Sequence, residues 1–420
     1  MFDFKKKIVK VSNDGIVSRL FTENISAAKE SCRKFIFRTH AGDGCFRLTP
    51  NAEPSAYGRC FAIFGLHLLG EQPFLAEHAE KMSVDIATDL EDLRCKRLEA
   101  GVELAFDKPY LQLLCFSLSA LSVLRKLREV SLEEHIVPLT KRDILADLER
   151  GGCLRGVPAS GNQAMFIAII NLYAQKWLNS VGPGRLDSWF DAHLRSQNRF
   201  GFWGDAKSMT HLQFQNGYHQ YEIFEYLDIE NPRLDCAVDA VAGLADRQGH
   251  FGPYPGGGGC YDYDAVAILT SLAESGDRYR DLLTLTARTL LSEQNENGGF
   301  CETKCLRPLN LHNLGMISGH VMAGSTFIVK KERARLALSL MLPRHNRIRG
   351  HWSIYSREWG ESDLWDSWFR MLTLARIQTA LAPSLDHQWG YIDFPGIGYV
   401  RHHKTSPKGT NTSDEKMRRA

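Results

Sequence analysis

Asp262 and Asp264 alternate with Tyr261 and Tyr263 just ahead of an apolar run, Ala265-Val-Ala-Ile-Leu269. Carboxyls entering a dry core suit general-acid chemistry, because burial favours the neutral form and leaves a proton to donate. One of the two acids is accounted for as a helix cap, accepting hydrogen bonds from free N–H groups at a positive helix end. Two exceed what capping requires, so at least one is a candidate for a cavity.

A second junction, His211-Leu-Gln213-Phe-Gln215-Asn216-Gly-Tyr218-His219-Gln220-Tyr221-Glu222, crowds amides and imidazoles at a helix start. His219 and Glu222 are three apart, share a face, and form a candidate acid/base pair. A hydrogen-bonded polar cap is the alternative. A third junction, Trp359-Gly-Glu361-Ser-Asp363-Leu-Trp365-Asp366-Ser-Trp368-Phe-Arg370, sets acids among tryptophans. Ser362 or Asp363 can cap the helix, and Asp366 with Arg370 reads as an intrahelical ion pair. Aromatic faces beside carboxylates also suit a carbocation or a sugar ring. Tyr57 and Arg59, Asn162 and Gln163, and Asn310, His312 and Asn313 occupy corresponding junctions.

Cys301 and Cys305, with His312 beyond them, could ligate zinc but lack the paired-Cys motif of a structural site. A loop with buried thiols is the expectation, and no metal or cofactor is called for. The run Gly256–Gly259 is followed by no Lys-Ser/Thr, so it is not a phosphate-binding loop of the P-loop kind.

The elements that must position these residues emerge from a repeat. Gln197-Asn-Arg-Phe-Gly201-Phe202-Trp203, Gln248-Gly-His-Phe-Gly252-Pro-Tyr254 and Gln294-Asn-Glu-Asn-Gly298-Gly-Phe300 share a Q-x3-G-aromatic frame. Asn346–Gly350 keeps it with Asn for Gln, and His40–Gly44, Arg150–Gly152 and Asp386–Gly390 are weaker copies. The glycines at 152, 201, 252, 298 and 350 lie 49, 51, 46 and 52 residues apart. One copy is missing between Gly44 and Gly152, with Gly101 near the expected place. The Gln amide can satisfy backbone groups at helix ends and Gly permits a sharp turn, so these motifs read as staples.

Within one period, Asp264-AVAILTSLAE is apolar nearly all round and predicts a buried helix, broken at Gly276-Asp277. Arg278-YRDLLTLTARTLLSEQ is amphipathic and predicts a half-exposed one. Further buried helices are predicted at Tyr57-GRCFAIFGLHLL, Pro109-YLQLLCFSLSALSVL, Asn162-QAMFIAIINLYAQ and Leu364-WDSWFRMLTLARI. Few alternating Val/Ile runs occur, so a large sheet is not expected. One buried and one half-exposed helix per period predicts an all-α toroid of two concentric rings around a cavity. About seven such ~50-residue repeats are expected over residues 41–400. Residues 1–40 form an N-terminal segment with a leading helix, and 401–420 a disordered polar tail.

The 420 residues carry 51 Lys+Arg against 49 Asp+Glu, a net +2, with 44% hydrophobic content. That balance argues against a nucleic-acid partner, and the apolar content against disorder. No run is long enough to span a membrane, and no apolar stretch follows the basic N-terminus as in a secretory signal. A cytoplasmic protein with free thiols and a small-molecule partner is expected.

The Gln294–Phe300, Gln197–Trp203 and Gln248–Tyr254 motifs resemble the repeats of terpenoid cyclases and protein prenyltransferase β-subunits. The resemblance implies an (α/α)6-type toroid whose central cavity holds an isoprenoid or similar hydrophobic substrate. Asp262-Tyr-Asp264-Ala-Val-Ala resembles the Asp-x-Asp-Asp-Thr-Ala stretch of class II terpene cyclases. The match makes Asp264 the proton donor and Asp262 its orienting partner, although Ala265 and Val266 replace the third acid and the threonine. Cys260 stands where the prenyltransferase zinc thiolate does, but Gly258 replaces its aspartate partner. Phe202, Trp203, Tyr218, Tyr261 and Trp365 would shape the apolar wall, with Tyr263 beside them. Asp363, Asp366 and Arg370 would contact substrate and His219 would take the final proton. A carbohydrate-active enzyme drawing a carboxylate pair from Asp262, Asp264, Asp363 and Asp366, and a non-catalytic scaffold, are the alternatives.

Overall fold

A computed structural model describes residues 20–400 apart from 158, 206 and 384–388. The predicted tail, the first nineteen residues and most of the Asp386 motif therefore lie outside the described residues. The chain is predominantly helical. In chain order the helices are α1 (Ile25–Arg38), α2 (Ala56–Leu69), α3 (Gln72–Glu99), α4 (Lys108–Val123), α5 (Glu133–Thr140), α6 (Ile144–Arg150), α7 (Ser160–Lys176) and α8 (Asp187–Ser196). They continue as α9 (His211–Leu227), α10 (Leu234–Ala242), α11 (Gly259–Leu269), α12 (Ala273–Arg278), α13 (Arg280–Glu293), α14 (Leu311–Met322), α15 (Phe327–Met341) and α16 (Leu364–Leu381).

Two kinds of helix alternate, as the apolar patterning requires. In α1 the buried residues Ile25, Ala28, Cys32, Phe35 and Ile36 form one stripe, leaving the other face wet. In α4 every residue from Tyr110 to Leu121 is buried, and in α16 every residue from Leu364 to Gln378. The six buried helices are α2, α4, α7, α9, α11 and α16. Each packs on the next in that order, and α16 packs back on α2.

Each buried helix is preceded by a corner where glycine holds a positive φ. These are Gly44, Gly101, Gly152, Gly201, Gly249 and Gly298, with φ between +68° and +88°. L side chains avoid this region, which is why glycine recurs there. At three corners one hydrogen-bonded turn repeats: Asn198 N to Phe202 O at 2.7 Å, Asp246 N to His250 O at 2.8 Å, Asn295 N to Gly299 O at 2.9 Å. Gln197 and Gln294 donate through Nε2 to the O of Gly201 and Gly298, and Gln294 also reaches Ala28 O on α1.

This geometry corrects three sequence readings. In the Gln248 copy the turning glycine is Gly249, three residues before Gly252, because the Asp246 carboxylate gathers the N–H groups of Gln248 and His250. The Asn346–Gly350 copy is no corner. It lies in an insertion between Phe300 and Asp363, which bridge one another, so the chain leaves the last unit and returns to its starting point. The insertion holds α14, α15 and a short ribbon of β1 (Arg347–Ile348) and β2 (Arg357–Glu358), with Arg347 opposite Glu358. Finally, the predicted break at Gly276-Asp277 falls instead at Thr270–Leu272. There the Thr270 and Ser271 hydroxyls bond back to Val266 O and Ile268 O and end α11.

Two corners predict different costs. A Cβ on Gly298 would lie 2.1 Å from Ser31 O, whereas one on Gly101 meets nothing within 4 Å. Gly298→Ala is expected to lose about 3 kcal/mol or more, and Gly101→Ala only about 1 kcal/mol from its backbone strain. Urea unfolding of both variants checks this.

Candidate active site

Asp262 and Asp264 are two residues apart on α11 and therefore point to different sides of the helix. Asp262 is fully buried and its oxygens are taken. His250 Nδ1 lies 2.8 Å from Oδ2, Phe251 N donates to Oδ1 at 2.9 Å, and Arg370 donates to Oδ2. His250 Nε2 meets Glu293 at 2.9 Å, and Arg370 also donates to Gly256 O and Gly257 O, pinning the glycine-rich loop. Burial pulls the His250 pKa down, but Asp262 and Glu293 outweigh it and hold the ring well above its ordinary range.

Next to this cluster, Asp363 caps α16 by accepting from Asp366 N at 2.9 Å and pairs with Arg357. Asp366 accepts from Gly259 N and pairs with Arg357, which also meets Glu302 at 3.1 Å. The combined network sets five carboxyls (Asp262, Glu293, Glu302, Asp363, Asp366) against three cations (Arg357, Arg370, protonated His250). The excess appears as protons: burial and Asp366 push Glu302 up to about 7, and burial leads the rise of Asp363. Asp262, Asp363, Asp366 and Arg370, expected at the substrate, are therefore internal ion-pair residues. No carboxylate pair drawn from the four candidate aspartates remains, since only Asp264 is outside the network.

Asp264 is 3% exposed, and its Oδ1 has no hydrogen-bond partner among the described residues. Burial raises its pKa well above the usual carboxylate range, followed by repulsion from Glu222 and then Asp262. The neighbour that most opposes its ionisation is thus Glu222 on α9, and not the Asp262 that the sequence pairs with it. Cys260 and Tyr261, four and three residues earlier, share the face of Asp264 one turn nearer the helix start.

Partly exposed residues at the N-terminal ends of the buried helices mark a candidate recess beside that face. Lys108 opens α4, and Cys260 and Tyr261 open α11, with Trp365 at the start of α16. Lys108 and His351 are exposed while Asn162, Cys260, Tyr261 and Trp352 are half-buried. Yet burial lowers the Lys108 pKa, takes His351 to about 4, and raises Cys260 well above its ordinary value. Solvent contact combined with desolvation is what a concave wall produces. Lys108 lies within electrostatic range of Cys260, His219 and His351.

His219 is buried, with Nε2 2.6 Å from Asn162 Nδ2 and Nδ1 without a partner among the described residues. Burial, then Lys108, lowers its pKa to about 3, so the ring is neutral. An aromatic cluster joins α2, α16 and the insertion: Trp352 stacks on Trp365 at 4.7 Å, Phe61 lies 5.0 Å from Trp365, and Tyr57 lies 5.8 Å from His351.

Of the predicted wall, Tyr261 and Trp365 border the recess. Phe202 and Trp203 do not: they fill the Gly201 corner, Phe202 against Phe214 and Trp203 donating to His193 O. Tyr218 and Tyr263 are buried beside Glu222, Tyr263 donating to its Oε1 at 3.1 Å. Arg59 pairs with Asp85 and Asp89 on α3, Gln163 donates to Ala105 O, and Asn310 caps α14. Cys301 and Cys305 are free thiols and His312 is exposed. No group of three His, Cys, Asp or Glu among the described residues is placed to hold a metal ion. Lys108, His351 and Trp352 belong to the site without having been singled out in it from sequence, and Glu222, read there as a partner for His219, also neighbours Asp264. Lys108 reads as an ordinary helix start, and His351-Trp352 reads as a repeat corner.

Comparison with family models, with curated proteins and with solved structures finds no match to this chain. No helix among the described residues is long and apolar enough to cross a membrane.

Glu222 supplies a test. Burial raises its pKa from an ordinary value near 4.5 to about 7. A raised folded-state pKa stabilises fully below 4.5, and that stability is lost as pH rises through about 7. Glu222→Gln stays neutral, so wild type should weaken relative to it by on the order of 3 kcal/mol between pH 4.5 and 8. Urea midpoints of both proteins at stepped pH check this, and a constant difference contradicts it.

Proposed function

We propose that the six buried helices and the half-exposed helices preceding them form two concentric rings, an (α/α)6 toroid of the terpenoid cyclase/prenyltransferase kind. Support comes from the packing order, which returns from α16 to α2, and from the recess, which gathers residues of all six buried helices. In this reading the recess is the mouth of an active site for an isoprenoid or similar hydrophobic substrate.

The observation that carries the reaction is Asp264: a buried carboxyl outside the ion-pair network, with a raised pKa and an unpartnered oxygen. A neutral acid in a dry site protonates an alkene because ionised Asp264 becomes partner to the cation it creates. The proton leaves the carboxyl, adds to one alkene carbon, and leaves positive charge on the other. Trp352, Trp365, Tyr57 and Tyr261 offer ring faces to that charge. His219, neutral with Nδ1 unpartnered, accepts a proton from the product cation, so the net reaction is an isomerisation. Lys108 suits an anionic head group such as a diphosphate at the mouth.

Asp264→Asn should fold, retain substrate binding, and lose turnover by about 10³-fold or more. A thermal-shift panel of prenyl diphosphates against oligosaccharides, followed by turnover assays on whichever stabilises, measures this. Stabilisation by oligosaccharides alone, or full turnover in Asp264→Asn, overturns the reading.

A further inference from the structure

The insertion between Phe300 and Asp363 differs from the rest of the chain in both charge and surface. Residues 301–362 hold ten Lys+Arg against four Asp+Glu, a net +6 in a chain whose total is +2, so the remainder is net −4. Of the sixteen large apolar side chains exposed among the described residues, nine lie in the 46 residues from Leu309 to Ile354. Exposed hydrophobic residues scattered singly are ordinary, but their concentration on one basic segment marks an interaction surface. The acids of the insertion do not cancel its charge locally. Glu302 meets Arg357, Glu358 and Glu361 meet Arg347, and Glu332 accepts from the N–H groups of His211 and Leu212 at the start of α9.

Helix α15 is fixed to the repeat frame by its inner face, where Val329, Arg333 and Ala337 are buried. Arg333 donates to His211 Nε2 at 3.0 Å, His320 O at 2.8 Å and Leu244 O at 2.6 Å. Held this way, α15 turns its other face outward. Phe327, Lys331, Ala334, Arg335 and Leu338 recur there at three- and four-residue spacing, with Leu342 just past the helix end. Phe327 is 80% exposed and Leu338 65%. The groove along this face is lined by Lys331, Arg335 and Arg344 and by no acid. We propose that the outer face of α15 docks the protein peripherally on an anionic lipid surface. Apolar residues interleaved with Lys and Arg suit a helix lying in the interface plane, its cationic side chains reaching lipid phosphates over their own buried stems. A protein partner fits less well, because lysine is depleted from the middle of protein interfaces. A second copy would bring the three cations against their own kind. This surface does not depend on the reaction assigned to Asp264.

Co-sedimentation of the full chain with phosphatidylcholine vesicles, with and without about 30% phosphatidylglycerol, tests the proposal. The chain should partition onto the anionic vesicles about tenfold or more strongly than onto the neutral ones. Raising NaCl from about 0.05 to 0.5 M should release it, a test on the wild type that needs no variant. Lys331→Gln with Arg335→Gln should weaken partitioning about tenfold or more, and Phe327→Ser with Leu338→Ser should do likewise. Phe327, Lys331, Arg335 and Leu338 are exposed, so both double variants should keep the wild-type urea midpoint. Leu145→Ser, at an exposed apolar position on α6, should leave partitioning unchanged. Four results would overturn the proposal: no partitioning onto anionic vesicles, equal partitioning onto neutral ones, or partitioning that survives both double variants; the fourth is a wild-type dimer in analytical ultracentrifugation that Phe327→Ser with Leu338→Ser converts to monomer.

Discussion

The contact on which the site depends is the one between Arg370 and Asp262. Through it α16 holds α11, and the same guanidinium fixes the glycine-rich loop by the O of Gly256 and Gly257. Breaking one partner of such a buried pair costs several kcal/mol, because the other charge is left stranded in a dry interior. The pair itself contributes less to stability than to placement. It decides which side of α11 is committed to structure and which side is left to chemistry. Asp262 and Asp366 pair with Arg370 and Arg357, Asp363 caps α16 beside Arg357, and Asp264, two residues along from Asp262, stays outside the network with its pKa raised by burial.

The corners set the frame in which this happens. Six positive-φ glycines, 48 to 57 residues apart, return the chain to the same end of the molecule each time. A buried helix starts soon after five of them. After the sixth, the insertion between Phe300 and Asp363 intervenes, and it brings His351 and Trp352 to the recess. A repeat supplies the scaffold while an insertion supplies part of the wall, a common division between rigid elements and loops.

Much of the frame was legible in the sequence, because a helix buried all round needs an unbroken apolar run. Leu364–Ile377 and Pro109–Leu124 could hardly be anything else. The turn frame was legible where Gln donates to the corner carbonyl, as at Gln197 and Gln294. It was misread at Gln248, which lies two residues past Asp246; Asp246 takes the place of Asn198, its Oδ1 accepting from Gln248 N and His250 N as Asn198 Oδ1 accepts from Phe200 N and Phe202 N. Phe202 and Trp203 could not be told from cavity aromatics, since a corner and a cavity wall ask for the same side chains.

The site was harder to read for a different reason. That one of the two acids would exceed what capping requires followed from their number. Which one it would be depended on helix phase relative to Arg370 and His250, residues 108 and 12 positions away. Glu222 meets Asp264, and Lys108 meets His219 and His351, only through tertiary packing. The account therefore stands most directly on the protonation state of Asp264. Infrared difference spectra of wild type against Asp264→Asn at pH 7 read it. The prediction is loss of a protonated-carboxyl C=O band in the variant. Loss of an ionised carboxylate band instead would contradict the account.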